Sequence, residues 1–318
     1  MRERQGTHAQ LSEYVDNDLG PGDRAGRCCS SRDRPTALRD VTTEGERWTE
    51  DQLRALRAAR YRPRAAWRFL SASLDRAGEV RRARPALARQ SRRWSVVGLA
   101  AGSVACQVAR RTGMPAPQTA RWVAWWIGCA AMLDWHLGMV EAADGATRER
   151  LGAADAASLS RVALVPFVAA ARARRGPFVA LLAIAAATDA ADGRLARHSG
   201  CTRLGRDLDT MGDALVGIAA ALCARRSGWL TTRTALLVVA RHLSPIAFAA
   251  LAYFARGARQ RSAPPGSTRW AAPVVTGGIM LSPWRRRAGN LLARGGAAAA
   301  LAAATASAPA ARSSAHRR

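Results

Sequence analysis

Lysine is absent from this chain: all 49 basic residues are arginine, set against 23 acidic ones. A formal charge of +26 ordinarily points to nucleic acid. Exclusive use of arginine, beside very abundant alanine, reads instead as a coding preference, so nucleic acid is not expected as a partner. An arginine-rich flank would still favour anionic lipid. Cysteine is scarce and unpatterned. Cys28, Cys29, Cys106, Cys129, Cys201 and Cys223 show no CxxC spacing, which argues against a zinc ribbon or a redox dithiol. They read as small packing residues in a reducing compartment. No apolar run occurs before residue 95, so nothing near the N-terminus has the charged-then-apolar order of a signal peptide.

What is present divides the chain into segments. Residues 1–46 are polar and aperiodic and read as a disordered, arginine-rich extension, although an over-extended translation start would look the same. Residues 47–93 form an amphipathic helical region: Thr49, Glu50 and Asp51 open one helix, and a second follows Pro63 toward Arg93 with Trp67, Phe69, Leu70 and Leu74. Its aromatic and arginine sides suit an anionic membrane face or a packed hairpin equally. Residues 94–140 hold two apolar runs, expected as two additional transmembrane helices, with Trp122, Trp125, Trp126 and Trp135 as interfacial aromatics. Asp134 and His136 mark where the second leaves the lipid. Residues 141–159 are a polar connector, residues 160–308 a membrane domain, and residues 309–318 a disordered tail. The fold class expected is all-α: a polytopic membrane helix bundle of six core transmembrane helices, plus two N-terminal apolar helices and the polar N-terminal extension.

Between two apolar runs lies DAADGRLARHSGCTRLGRDLDTMGD, residues 189–213. Asp189, Asp192, Gly193, Ala196 and Arg197 fall on a single helical face. Gly205, Asp209 and Asp213 recur every fourth residue and form another. A tight turn containing Gly200 and Thr202 would aim the two faces at each other. Four carboxylates would then share one cleft, and converging anions repel unless they hold cations. An all-oxygen cluster suits Mg²⁺ or Mn²⁺ rather than zinc. Arg197 offers a planar fork for phosphate. Arg241 also stands inside an apolar helix and needs a counter-charge, either a substrate phosphate or an aspartate. Asp207 falls on the other side of its helix from Asp209 and reads as surface.

This arrangement resembles the signature of the CDP-alcohol phosphatidyltransferase family, D-x2-D-G-x2-A-R-x8-G-x3-D-x3-D. Asp189, Asp192, Gly193, Ala196, Arg197, Gly205, Asp209 and Asp213 meet its defined positions. Seven residues separate Arg197 from Gly205, one fewer than in the family pattern. The resemblance implies an integral membrane enzyme that displaces CMP from CDP-diacylglycerol, or a similar CDP-alcohol, by the hydroxyl of a small alcohol, as a step in phospholipid biosynthesis. It implies two divalent ions on Asp189, Asp192, Asp209 and Asp213, with Asp213 also as general base. Gly193, Ala196 and Arg197 would contact the CMP moiety, and Gly205 would let its helix approach. The acceptor is left open; the outer arginines favour an anionic one such as glycerol 3-phosphate or inositol phosphate. A homodimer in the cell membrane, with the site facing the cytoplasm, completes the expectation.

Two other readings compete. An intramembrane prenyltransferase also sets aspartates and Mg²⁺ on a diphosphate, but it needs two separate Asp-rich motifs where this chain has a single block. A non-catalytic membrane protein with a vestigial motif, and a basic extension for lipid or nucleic acid, would have no reason to keep all four aspartates and both glycines.

Overall fold

A capping box sets the first helical turn. Thr43 Oγ1 accepts from the Glu46 N–H at 3.2 Å, and the Glu46 carboxylate accepts from the Thr43 N–H at 3.1 Å. Helix α1 (Glu44–Ala58) therefore starts ahead of the cap expected at Thr49. Thr49 lies within it and donates to the Gly45 carbonyl at 2.8 Å. The computed structural model describes residues 43–142, 145–199, 202–251, 254 and 270–307; of residues 192–199 and 249 it describes the backbone alone. The polar extension before residue 43 and the tail from 308 lie outside the described residues.

Nine helices follow in order: α2 (Pro63–Ala83), α3 (Pro85–Arg111), α4 (Thr119–Trp135), α5 (Ala153–Ala170), α6 (Arg175–Ser199), α7 (Arg203–Arg226), α8 (Thr232–Leu251), α9 (Ala271–Leu281) and α10 (Arg286–Ser307), among the described residues. Pro63 and Pro85 occupy first helical positions, where a missing N–H is harmless. Pro85 thereby splits the long second helix expected from 63 to 93. Beyond these helices and a 3-10 turn at Leu137–Met139, the described residues hold only isolated bridges. One of them joins Ala142 of the connector to Thr202, and the Arg203 N–H donates to the Glu141 carbonyl at 2.9 Å. The connector is thus tied to the start of α7.

The expected bundle of six core transmembrane helices plus two N-terminal ones is corrected by these helices. Among the described residues only α5 is long and apolar enough to cross a membrane. Its 18 residues rise about 27 Å, close to a hydrocarbon core. The others fall short for identifiable reasons. In α6 and α7 the aspartates and terminal arginines confine the apolar part to roughly half of each helix. Arg233, Arg241 and His242 interrupt α8, and α9 has 11 residues. The last helix, α10, combines Arg286, Arg287 and Arg294 with alanine, which is only weakly hydrophobic. The apolar run of α3 is diluted by Gly98, Gly102, Ser95 and Ser103, and α4 has 17 residues. The all-α character stands.

Two prolines sit inside helices, and each frees the carbonyl four residues earlier. For Pro166 of α5 that carbonyl belongs to Val162, and it accepts from the Trp125 indole at 3.2 Å. For Pro245 of α8 it belongs to Arg241, and it accepts from the Ser244 hydroxyl at 3.2 Å. Both helices continue because side chains replace the lost donors.

Packing forms two apolar cores. One joins α5 to α10 through Val168, Phe178, Leu182, Ala221, Val238, Ile279 and Ala293. The other joins α3, α4 and the connector to α5 and α7 through Leu87, Cys106, Trp122, Leu137, Leu159 and Leu204. In the second, α3 and α4 interlock. A Cβ on Gly98 would stand 2.0 Å from the Trp126 ring, and one on Gly102 would stand 1.9 Å from the Trp122 ring. Each indole N–H finds a carbonyl of α3, Trp126 on Ser95 at 2.6 Å and Trp122 on Leu99 at 3.4 Å. Cys106 and Cys223 are buried free thiols, in keeping with packing roles; Cys28, Cys29 and Cys201 lie outside the described residues.

Candidate active site

The site begins with the placement of α7. Thr202 caps it, its hydroxyl accepting from the Gly205 N–H at 2.9 Å. The same hydroxyl donates to Asp155 Oδ1 at 3.1 Å, and Asp155 Oδ2 accepts from the Gly152 N–H at 2.7 Å. Asp155 is buried at the first turn of α5, so one carboxylate fixes the starts of α5 and α7 together. Glycine is required at 205 because an added Cβ would lie 2.6 Å from Asp155 Oδ1. Further along, Gly212 lies against the Ser158 carbonyl and Gly217 against the His242 ring of α8. The spacing between Arg197 and Gly205 is thus mostly helical: α6 continues to Ser199, and α7 resumes at Arg203.

This placement brings three of the four motif aspartates together. Asp189 from α6 and Asp209 and Asp213 from α7 each offer a carboxylate oxygen within 4.8 Å of the others. The side chains of Asp192, Ala196 and Arg197, and the surroundings of Gly193, lie outside the described residues. Asp207 is exposed, away from the cluster, as its spacing predicts.

At the focus of the three carboxylates sits a residue that the motif does not contain. Arg161 of α5 is 1% exposed, and its Nη1 pairs with Asp209 at 2.8 Å, with Asp189 at 3.2 Å and with Asp213. The guanidinium is drawn there because three clustered anions demand positive charge. A signal for Arg161 exists in the sequence: it is an arginine inside an otherwise uncharged run, the same signal that marks Arg241. Asp155 has a weaker signal, an acid ahead of an apolar helix, which would read as an ordinary first-turn residue.

Withdrawal from water raises the Asp213 carboxyl to about 6 against the pull of Arg161, and the Asp189 and Asp209 charges add to the rise. Burial also raises Asp189, again opposed by Arg161. Behind Asp213, Arg241 Nη1 lies 3.1 Å from His242 Nε2, and the Arg241 Nε is buried without a hydrogen-bond partner. Asp213 contributes an attractive charge to Arg241.

The carboxylates fit a divalent cation on the chemistry of their donors. They are three hard oxygen ligands from two helices, half exposed on one side and already gathered around a positive group. Residues 151–305 match the family model of CDP-alcohol phosphatidyltransferase. The matched stretch runs from Leu151, just ahead of α5, into α10 and contains the whole cluster. This match supports transferase chemistry of the lipid-biosynthetic type that the motif implies. No curated protein and no solved structure matches the chain.

Proposed function

We propose that the chain transfers a phosphatidyl group from CDP-diacylglycerol, or a similar CDP-alcohol, to an alcohol, with release of CMP. The observation that carries this reading is the convergence of Asp189, Asp209 and Asp213 within the matched domain. Asp192 joins them by its place in the motif, and together the four would hold Mg²⁺ or Mn²⁺, as a pair of ions. Bound there, the ions would neutralise the diphosphate and the charge that grows on departing CMP. Gly193, Ala196 and Arg197 contact the CMP moiety, with Gly205 keeping α7 close.

In the reaction the acceptor oxygen bonds to the phosphorus carrying the diacylglycerol, and the phosphoanhydride bond to CMP breaks. Asp213 takes the hydroxyl proton. Bound cations would lower its basicity, so its placement beside the acceptor hydroxyl matters more than its proton affinity. Arg161 holds the carboxylates in register before the ions load. Arg241, with a buried unpartnered Nε next to the cluster, favours an acceptor that carries its own phosphate, such as glycerol 3-phosphate or inositol phosphate. The lipid tails remain in the membrane, which α5 is long and apolar enough to enter, with the carboxylates on the cytoplasmic side of the cell membrane.

The test uses full-length protein in detergent with Mg²⁺ or Mn²⁺, labelled CDP-diacylglycerol and a panel of alcohols. CMP release should depend on the metal and on one acceptor, whose label enters the lipid product. Absence of metal-dependent release with every acceptor would sink the reading.

A further inference from the structure

One face of α3 carries two chemistries in succession. Ala86, Arg89, Gln90, Arg93 and Trp94 recur at helical spacing and, with Arg150 of the connector, line a cavity of about 490 Å³. No acidic side chain lines it. Among the described residues none of the three arginines makes an ion pair. Gln90 keeps the connector in place, its side-chain amide donating to the Leu151 carbonyl at 3.1 Å and accepting from the Leu151 N–H at 2.9 Å. Arg150, next in the chain, is thereby held opposite Arg89 and Arg93. Three like charges gathered without a counter-ion create a positive potential that favours an anion.

The same face then turns apolar. Val97, Ala100, Ala101, Val104 and Val108 continue the row of Arg89 and Arg93 and are all exposed, Val97 at 65% and Val104 at 58%. No charged residue interrupts the helix from Trp94 to Ala109. From Arg93 to Val108 the helix rises about 22 Å, the scale of an acyl chain. The opposite side of α3 is occupied by α4 through the Gly98–Trp126 and Gly102–Trp122 contacts, so this row is free to meet something else.

We infer that this face binds an anionic phospholipid, its phosphate among Arg89, Arg93 and Arg150 and its acyl chains along the Val97–Val104–Val108 row. A free phosphate compound would use the cavity and leave the row idle, whereas a lipid uses both. The site is separate from the carboxylate cluster and lies ahead of the matched domain apart from the Leu151 clasp. It therefore stands or falls independently of the proposed reaction.

Isothermal titration of the full-length protein in detergent reads it directly. The probes are dioleoyl phosphatidylglycerol and dioleoyl phosphatidylcholine in mixed micelles, and glycerol 3-phosphate. Phosphatidylglycerol should bind about 10-fold or more tightly than either of the others. The combined Arg89→Ala, Arg93→Ala and Arg150→Ala variant should weaken phosphatidylglycerol about 10-fold or more, with unchanged circular dichroism and CMP release. The Val97→Asn, Val104→Asn variant should remove the advantage of the lipid over glycerol 3-phosphate. Asp213→Asn should retain full binding of phosphatidylglycerol, which separates this site from the catalytic one. Equal affinity in the arginine variant, or phosphatidylcholine binding as tightly as phosphatidylglycerol, would overturn the inference.

Discussion

The α3–α4 hairpin and the α5–α7–α8 group are both held by glycines that bare the backbone to a neighbour, yet the neighbours differ in kind. In the hairpin Gly98 and Gly102 receive the rings of Trp126 and Trp122, an apolar interlock in which the indole N–H groups donate to α3 carbonyls. In the other group Gly205 and Gly217 receive the Asp155 carboxylate and the His242 imidazole. The first arrangement fixes shape. The second fixes where charges stand, and Asp155, Arg161 and the motif aspartates follow from it. Loss of a glycine should therefore cost stability in both places but chemistry in one.

The largest effect belongs to the charged side. Asp213→Asn should lower metal-dependent CMP release by about 10³-fold, as loss of a base that is also a ligand does, measured as turnover per folded molecule. Arg161→Met should destabilise the metal-free protein by about 1–3 kcal/mol, less than a fully enclosed ion pair because its three partners are half exposed. Added Mn²⁺ should restore more of the melting temperature in Arg161→Met than in the parent, since the ion supplies the missing positive charge. Equal recovery in both would separate Arg161 from the cluster.

The comparison sharpens with two matched substitutions. Gly102→Ala and Gly205→Ala should each cost about 1–3 kcal/mol by overpacking. Only Gly205→Ala should also reduce turnover of the molecules that remain folded. Gly128→Ala, on the open side of α4 with nothing within 4 Å of the added carbon, should instead raise stability by about 0.5–1 kcal/mol.

A pH series gives the mildest effect and tests the seat of Asp213. Its carboxyl is raised to about 6, so the fold favours the protonated form. In the metal-free protein its contribution to stability is complete below the ordinary carboxylate range and is lost as pH rises through about 6. Divalent affinity runs the other way, because the ion needs the carboxylate, and it should fall as pH drops below about 6. Thermal melts with and without Mn²⁺ across pH 5 to 8 would show the two trends crossing; parallel trends would place Asp213 outside the ion site.

Much of the site was legible in the sequence because period and spacing are properties of single helices. Asp189 on one face and Gly205, Asp209 and Asp213 on another were readable from residue numbers, and the structure brings three of those carboxylates together. Arg161 was passed over although it carries the same signal as Arg241, since which buried arginine meets which acid depends on the packing of α5 on α7. The transmembrane count failed for a related reason. An apolar run read as a segment takes no account of the helix that contains it; these helices extend into the charged motif and into arginine-rich ends, so that among the described residues only α5 has sufficient length and apolarity. The Gly98–Trp126 and Gly102–Trp122 pairing was also beyond reach, because neither spacing names its partner.

The central claim is that Asp189, Asp209 and Asp213 act as one cation site displacing Arg161. Electron paramagnetic resonance titration of Mn²⁺ into the full-length protein measures this without any substrate. Bound Mn²⁺ should disappear with Asp189→Asn and with Asp209→Asn alike, and should tighten in Arg161→Met as the competing charge is removed. Mn²⁺ binding of unchanged affinity in both aspartate variants would contradict it.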